Sequence, residues 1–148
     1  MSVNNLAFEG TRMSRLPTPA LIGIAVIVAT AINLVIFTVG SLLGASYRFT
    51  TQGQQMTVEP ITLVGFSAVP LAIGLAIAAL LSLRWRWVLR VALAVGPVLA
   101  LGSIFVMTVP AGFDATSLVC LALCHTVLVP VMIVTLLAIR ARRPAASQ

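Results

Sequence analysis

The chain has no lysine, one histidine, one tyrosine, two cysteines and three acidic residues in 148 positions. Each scarcity excludes something. Charged residues make up 8% of the chain and apolar ones 60%, against about 25% and about 45–50% in soluble domains. A water-soluble fold of this length lacks the polar surface to cover so much apolar side chain, so lipid is expected to cover it. The carboxylates stand outside the long apolar runs, which leaves no pair for acid–base catalysis within the membrane. It also speaks against the mechanism of small four-helix multidrug exporters, which depends on a membrane-embedded Glu. No phosphate loop, nucleophile elbow or metalloprotease motif is present. No enzymatic activity and no cofactor are expected.

Cys120, Cys124 and His125 at first sight suggest a metal or redox centre. On a helix, however, the two cysteines share a face at i and i+4 while His125 is turned about 100° from Cys124. No further Cys or His exists to complete a four-ligand set. The spacing is not C-x-x-C, so a redox dithiol is not supported either. The cysteines are read as small packing residues, and no metal is expected.

The formal charge is +6. In a soluble chain that would hint at nucleic acid; here the arginines flank apolar runs, where they fix orientation and meet anionic headgroups. No nucleic-acid partner is expected. The abundance of Ala, Val, Leu and Arg beside the missing lysine fits a GC-rich bacterial genome.

Four runs are long enough to span a bilayer, at residues 20–45, 61–83, 91–109 and 116–139. Pro60 opens the second, Pro110 closes the third, and Asp114 stands before the fourth, where its charge favours the helix dipole. The expected fold is all-α, an antiparallel four-helix transmembrane bundle occupying residues 20–140. Residues 1–19, with a Pro17-Thr18-Pro19 breaker, and residues 141–148 are expected to be tails. The only substantial loop, 46–60, has Tyr47, Phe49, Met56 and Val58 alternating with polar residues around Gln-Gly-Gln. That pattern suggests a small hairpin or an irregular interfacial loop.

Charge decides the orientation. Arg12 and Arg15 lie before the first span, Arg84, Arg86 and Arg90 in the central turn, and Arg140, Arg142 and Arg143 after the fourth. The opposite side has Arg48, Glu59 and Asp114. Eight arginines against one place both termini and the central turn in the cytoplasm of a plasma membrane. Trp85 and Trp87 then sit at headgroup level. These tryptophans and the arginines at 84, 86, 90, 140, 142 and 143 are the expected surface anchors.

Each span carries one stripe of small or polar residues, the signal for close helix packing where lipid supplies no hydrophobic drive. These are Gly23, Ala29, Thr30, Asn33, Phe37, Gly40 and Gly44 on the first; Ser67, Gly74 and Ala78 on the second; Ala92, Gly96, Ala100 and Ser103 on the third; Ser117, Cys120, Cys124 and Thr135 on the fourth. Gly40-x-x-x-Gly44 is compatible with self-association or with packing inside one chain, the latter being preferred. Pro70, Pro97 and Pro130 lie within spans, where neighbours can satisfy the freed carbonyls. His125, Asn33, Ser67 and Ser103 fall at similar depths in the half away from the cytoplasm. An intramembrane ionisable group is a functional hypothesis by default, so these four are the candidate site. They form either an outward polar pocket or interhelical hydrogen bonds that pin register, the second being preferred.

Asn33-Leu34, Gly40 to Gly44, the loop leading to Pro60, Val69-Pro70, Asp114 and His125 together resemble a family of small four-span membrane proteins of unknown function, found mainly in actinobacteria. The resemblance covers about residues 20–140 and implies the same topology; it brings no activity. The expected role is a non-enzymatic accessory or structural partner in the membrane. The alternative is a small transporter or channel-like protein with a polar pocket near His125. Lipid is the expected partner, with a second copy or another membrane protein as the candidates beyond it.

Overall fold

The computed structural model describes residues 16–51 and 53–142. It contains helices α1 (Thr18–Leu42), α2 (Pro60–Arg84), α3 (Val88–Ser103) and α4 (Ala115–Ala141), with strands β1 (Arg48–Thr51) and β2 (Gln54–Thr57) between α1 and α2. α3 widens into a π-helical turn over Ile104–Thr108 and tightens into a 3₁₀ turn over Val109–Ala111. The stretches Thr18–Leu42, Pro60–Arg84, Val88–Ala111 and Ala115–Ala141 are each long and apolar enough to cross a membrane. Arg12, Arg15 and the expected anchor Arg143 lie outside the described residues.

Several boundaries differ from those expected, for local reasons. Residues 18 and 19, assigned to the tail, are helical: Pro17 precedes the first turn and Pro19 falls inside it, where a missing N–H removes no helical bond. α1 ends at Leu42 rather than 45 because Gly44 takes a left-handed backbone, φ +91°, and Ala45 N–H returns to the Gly40 carbonyl. The central turn is shorter than the 84–90 stretch. Arg84 ends α2 and Val88 begins α3, so only Trp85, Arg86 and Trp87 are non-helical.

The loop is the hairpin: β1 and β2 pair antiparallel, Phe49 opposite Met56, with Gly53 in its turn.

α1, α2 and α4 pack tightly, with α4 also carrying α3. Buried residues on α1 recur at Leu21, Ala25, Ala29, Asn33 and Phe37, one every fourth position, which makes a ridge along one face. The small Ala25 and Ala29 bring that ridge close to α2 and α4. One core cluster joins Leu21, Ala25 and Ala29 to Leu75, Ala79, Leu136 and Ile139, and it includes Leu89 from the start of α3. A second gathers Phe37, Tyr47, Leu63, Cys120, Leu121 and Cys124 at the hairpin end. The stripes therefore face inward at most expected positions, but Gly23, Gly44 and Gly74 are exposed. α3 stands apart: along its whole length only Leu89 and Thr108 are buried. At Gly96 it closes on α4, where an added Cβ would fall 2.6 Å from the Met132 sulfur. Towards the hairpin a space lies between it and α2.

At the other end of the bundle Arg84, Arg86, Arg90 and Arg140 are exposed beside the start of α1. Trp85 and Trp87 are exposed there too. Leu89 reverses that pattern and plugs the core beneath them.

Candidate functional site

The hairpin end is fixed by a polar latch. Asp114 caps α4, its Oδ1 accepting the Ser117 N–H at 2.9 Å and its Oδ2 accepting the Ser117 hydroxyl at 2.6 Å. The same Oδ2 accepts the Ser46 hydroxyl at 2.6 Å and the Ser46 N–H at 3.2 Å. Ser117 Oγ in turn accepts the Tyr47 N–H at 2.8 Å. Two residues 68 positions apart in the chain are thus joined at one carboxylate.

These bonds, from Ser117 first and Ser46 next, hold the Asp114 carboxyl well below the usual carboxylate range. The sign follows from linkage. A depressed folded-state value adds stability that is fully present above the unfolded carboxylate pKa of about 3.9 and lost only as pH falls towards the folded value. Asp114→Ala is therefore expected to lower the melting temperature at pH 7. The gap to wild type should stay constant down to about pH 5 and narrow only below about pH 4. Closure of the gap between pH 7 and pH 5 would show that the latch is not carboxylate-based.

Tyr47 stands in the left-handed region, φ +53°, the sole non-glycine among the described residues to do so. A bulky side chain there is strained. The strain is held by its N–H bond to Ser117, by its carbonyl accepting the Val58 N–H, and by its hydroxyl donating to the Phe37 carbonyl at 2.9 Å. Its ring stacks on Phe37 with centroids 4.1 Å apart. Burial, with the Cys120 thiol second, pushes the phenol above its ordinary pKa, so it remains a donor.

Behind this latch lies a cavity of about 740 Å³ between α2, α3 and α4. Ser67 and Pro70 line it from α2, Ser103 and Thr108 from α3 and its π-helical turn, and Leu121 and His125 from α4; Phe49, Met56 and Phe113 reach it from the hairpin end. Its volume is in the range of small-molecule sites, about 300–1,000 Å³. The lining is mainly apolar. Among the described residues no charged side chain takes part.

The four candidate residues divide. Ser67, Ser103 and His125 line the cavity, and Asn33 does not. Asn33 is 1% exposed and reaches the cavity through its neighbour: its Nδ2 donates to Ser67 Oγ at 2.9 Å. Its Oδ1 is buried without a partner. Cys124 Sγ lies 3.8 Å from the Asn33 carbonyl, which sets α4 against α1 at that level. His125 does not bond a neighbouring helix. Its Nδ1 lies 2.8 Å from the Leu121 carbonyl of its own helix. Ser103 donates to the Ala100 carbonyl at 2.7 Å. So Asn33–Ser67 is an interhelical bond, whereas His125 and Ser103 are turned onto their own helices at the cavity wall. Pro70 lines the cavity; Pro97 and Pro130 do not.

Asp114 was expected only to favour a helix dipole, and its bonds to Ser46 and Ser117 had no sequence signal beyond its place before a span. Thr108 and Phe113 had none: Thr108 ends the π-helical turn and Phe113 lies in the link before α4.

The family model described as a family of unknown function (DUF6069) matches residues 13–143. The chain belongs to the DUF6069 family. The matched stretch includes all four helices, the hairpin, the Asp114 latch and the cavity. Membership of DUF6069 agrees with the resemblance to a family of unknown function, and it assigns no activity. No curated protein and no solved structure matches the chain.

Proposed function

We infer that this is a non-enzymatic ligand-binding protein of a bacterial plasma membrane, with both termini and the α2–α3 turn in the cytoplasm. It takes a small membrane-dissolved molecule into the cleft between α2 and α3, beneath the hairpin on the outer side. The observation that carries this reading is the roughly 740 Å³ cavity reaching His125. A bundle in which His125 only pinned register would turn the ring onto a neighbouring helix and leave no such space. The orientation rests on the arginines, which crowd the end opposite the hairpin. Their contacts there are with anionic lipid headgroups.

Gly74 supplies the test. It lines the cavity, and a Cβ added to it would meet nothing within 4 Å. Gly74→Phe therefore fills the space without a clash at its root. Wild-type protein extracted in mild detergent is expected to retain about one bound small molecule per chain by native mass spectrometry, and Gly74→Phe to retain none. The same bound species in both proteins, or none in either, would sink the reading. Orientation is tested separately: in a background lacking Cys120 and Cys124, Gln54→Cys should react with a membrane-impermeant thiol reagent on intact cells. Protection there would invert the topology.

An accessory role beside another membrane protein is the second reading. α3 favours it, since Phe105 and Val106 are more than 70% exposed and the helix packs chiefly on α4. A stoichiometric protein partner, co-purifying in place of a small molecule, would decide for it.

A further inference from the structure

We propose that the cavity selects an amphiphile with an uncharged hydroxyl head, the hydroxyl donating to His125 Nε2 and accepting from Ser67, its apolar chain lying along α2 and α3. This rests on the ligand-binding reading above and names the ligand's chemistry.

The head group follows from the hydrogen bonds already made. A carbonyl oxygen only accepts, so the contact with Leu121 places the proton of the neutral imidazole on Nδ1. Nε2 then presents a lone pair, and it bonds no described residue. Ser67 Oγ already accepts from Asn33 Nδ2, so its own proton is free for an acceptor in the cavity. Thr108 adds a third valence: it is 4% exposed, lines the same cavity, and its hydroxyl bonds no described residue. The wall thus offers an acceptor at His125 and a donor at Ser67. A hydroxyl satisfies both with one group. An ether or ester lacks the donor that Nε2 requires.

Charge excludes the remaining common heads. No arginine among the described residues lines the cavity to pair with a fatty acid or phosphate, and no carboxylate is there to pair with an amine. An ion taken into this wall would be buried without a counter-charge, which is strongly unfavourable. The chain matters less to selection than the head. A ligand that enters from lipid leaves surroundings as apolar as the cavity wall, so burying its tail gains little. The hydroxyl exchanges its hydrogen bonds at the membrane interface for those of the wall, so selection rests on which heads the wall can satisfy.

The test uses the full chain in nanodiscs and a dodecanol carrying a diazirine in its chain. Photolabelling is expected on α2 and α3, lost in Gly74→Phe. Unlabelled dodecanol should compete about five-fold better than dodecyl methyl ether, the fold-change of roughly one net hydrogen bond, and better than dodecanoate or dodecylamine. His125→Phe should bring alcohol and ether to within about two-fold, and His125→Gln, which keeps an acceptor, should retain part of the gap. Equal competition by alcohol and ether in wild type, stronger competition by either ion, or an unchanged gap in His125→Phe would overturn the head-group assignment while leaving the cavity occupied. Absence of cavity labelling, or labelling that survives Gly74→Phe, would overturn the ligand-binding reading itself. The wild-type comparison stands even if a His125 variant fails to fold.

Discussion

Gly40→Val is expected to lower stability by roughly 1–3 kcal/mol, the usual cost of overpacking a tight contact, and to loosen the hairpin end. An added Cβ at Gly40 would run into the Tyr47 hydroxyl and would sit 2.6 Å from Cys120 Sγ and 3.2 Å from Cys120 Cβ. Neither neighbour can easily move. Tyr47 is 2% exposed, stacked on Phe37 and hydrogen-bonded at both ends of the residue, and Cys120 is anchored in the α4 backbone. Gly40→Ala combined with Tyr47→Phe and Cys120→Ala should therefore lose less than the sum of the separate changes, because residues in contact are coupled. Reversible unfolding in mixed micelles would measure both effects. An additive result, or a Gly40→Val protein as stable as wild type but altered in oligomeric state, would instead return the Gly40-x-x-x-Gly44 pair to self-association. Gly40 is where Tyr47 and α4 meet α1, and Gly44 is where α1 turns out of its helix. The spacing of the pair therefore has an account within one chain.

That example marks what the sequence makes legible and what it hides. The four helices are legible because apolar runs bounded by prolines and arginines admit few other structures in lipid. The inward faces are legible because small residues repeat at helical spacing, and Ala29, Asn33, Ser67, Cys120 and Cys124 all face inward as that spacing demands. Contacts that depend on chain reversal are not. Ser46 and Tyr47 carry no mark of a partnership with Asp114 and Ser117, since the pairing exists only once α1 and α4 lie side by side. Tyr47 even disguises it, because a left-handed backbone is rarely adopted by an aromatic residue. The cavity is hidden for another reason. It lies between α2, α3 and α4 beside the π-helical turn, and no periodicity records how far apart helices stand. The polar stripes could therefore identify Ser67 and Ser103 as inward-facing, and His125 as an ionisable residue at their depth, but not whether they touch one another or face a space.

Asn33→Asp is expected to cost roughly 2.5–3.5 kcal/mol at pH 7, the penalty for a carboxylate at the centre of a membrane helix. Asn33 is 1% exposed near the middle of α1 and already has one oxygen without a partner. A carboxylate there gains one donor, the Ser67 hydroxyl, and no counter-charge among the described residues around it. Protonation removes the penalty, because a neutral carboxyl both donates and accepts as the amide does. The deficit should therefore be smaller at pH 4 than at pH 7. Asn33→Leu removes the donor and the unpartnered oxygen together. It leaves the buried Ser67 Oγ without its donor, a cost of about 1–3 kcal/mol that removal of the unpartnered oxygen offsets in part, and that cost should not vary with pH. Chemical unfolding of the three proteins at pH 4 and pH 7 separates these cases. Should Asn33→Asp be as stable as wild type at pH 7, water must reach Asn33 past Ser67, and the cavity would be a hydrated polar pocket instead of an apolar one. A pH-dependent deficit in the Asp protein beside a pH-independent one in the Leu protein leaves Asn33 the role its geometry suggests: it joins α1 to α2 by donating to Ser67.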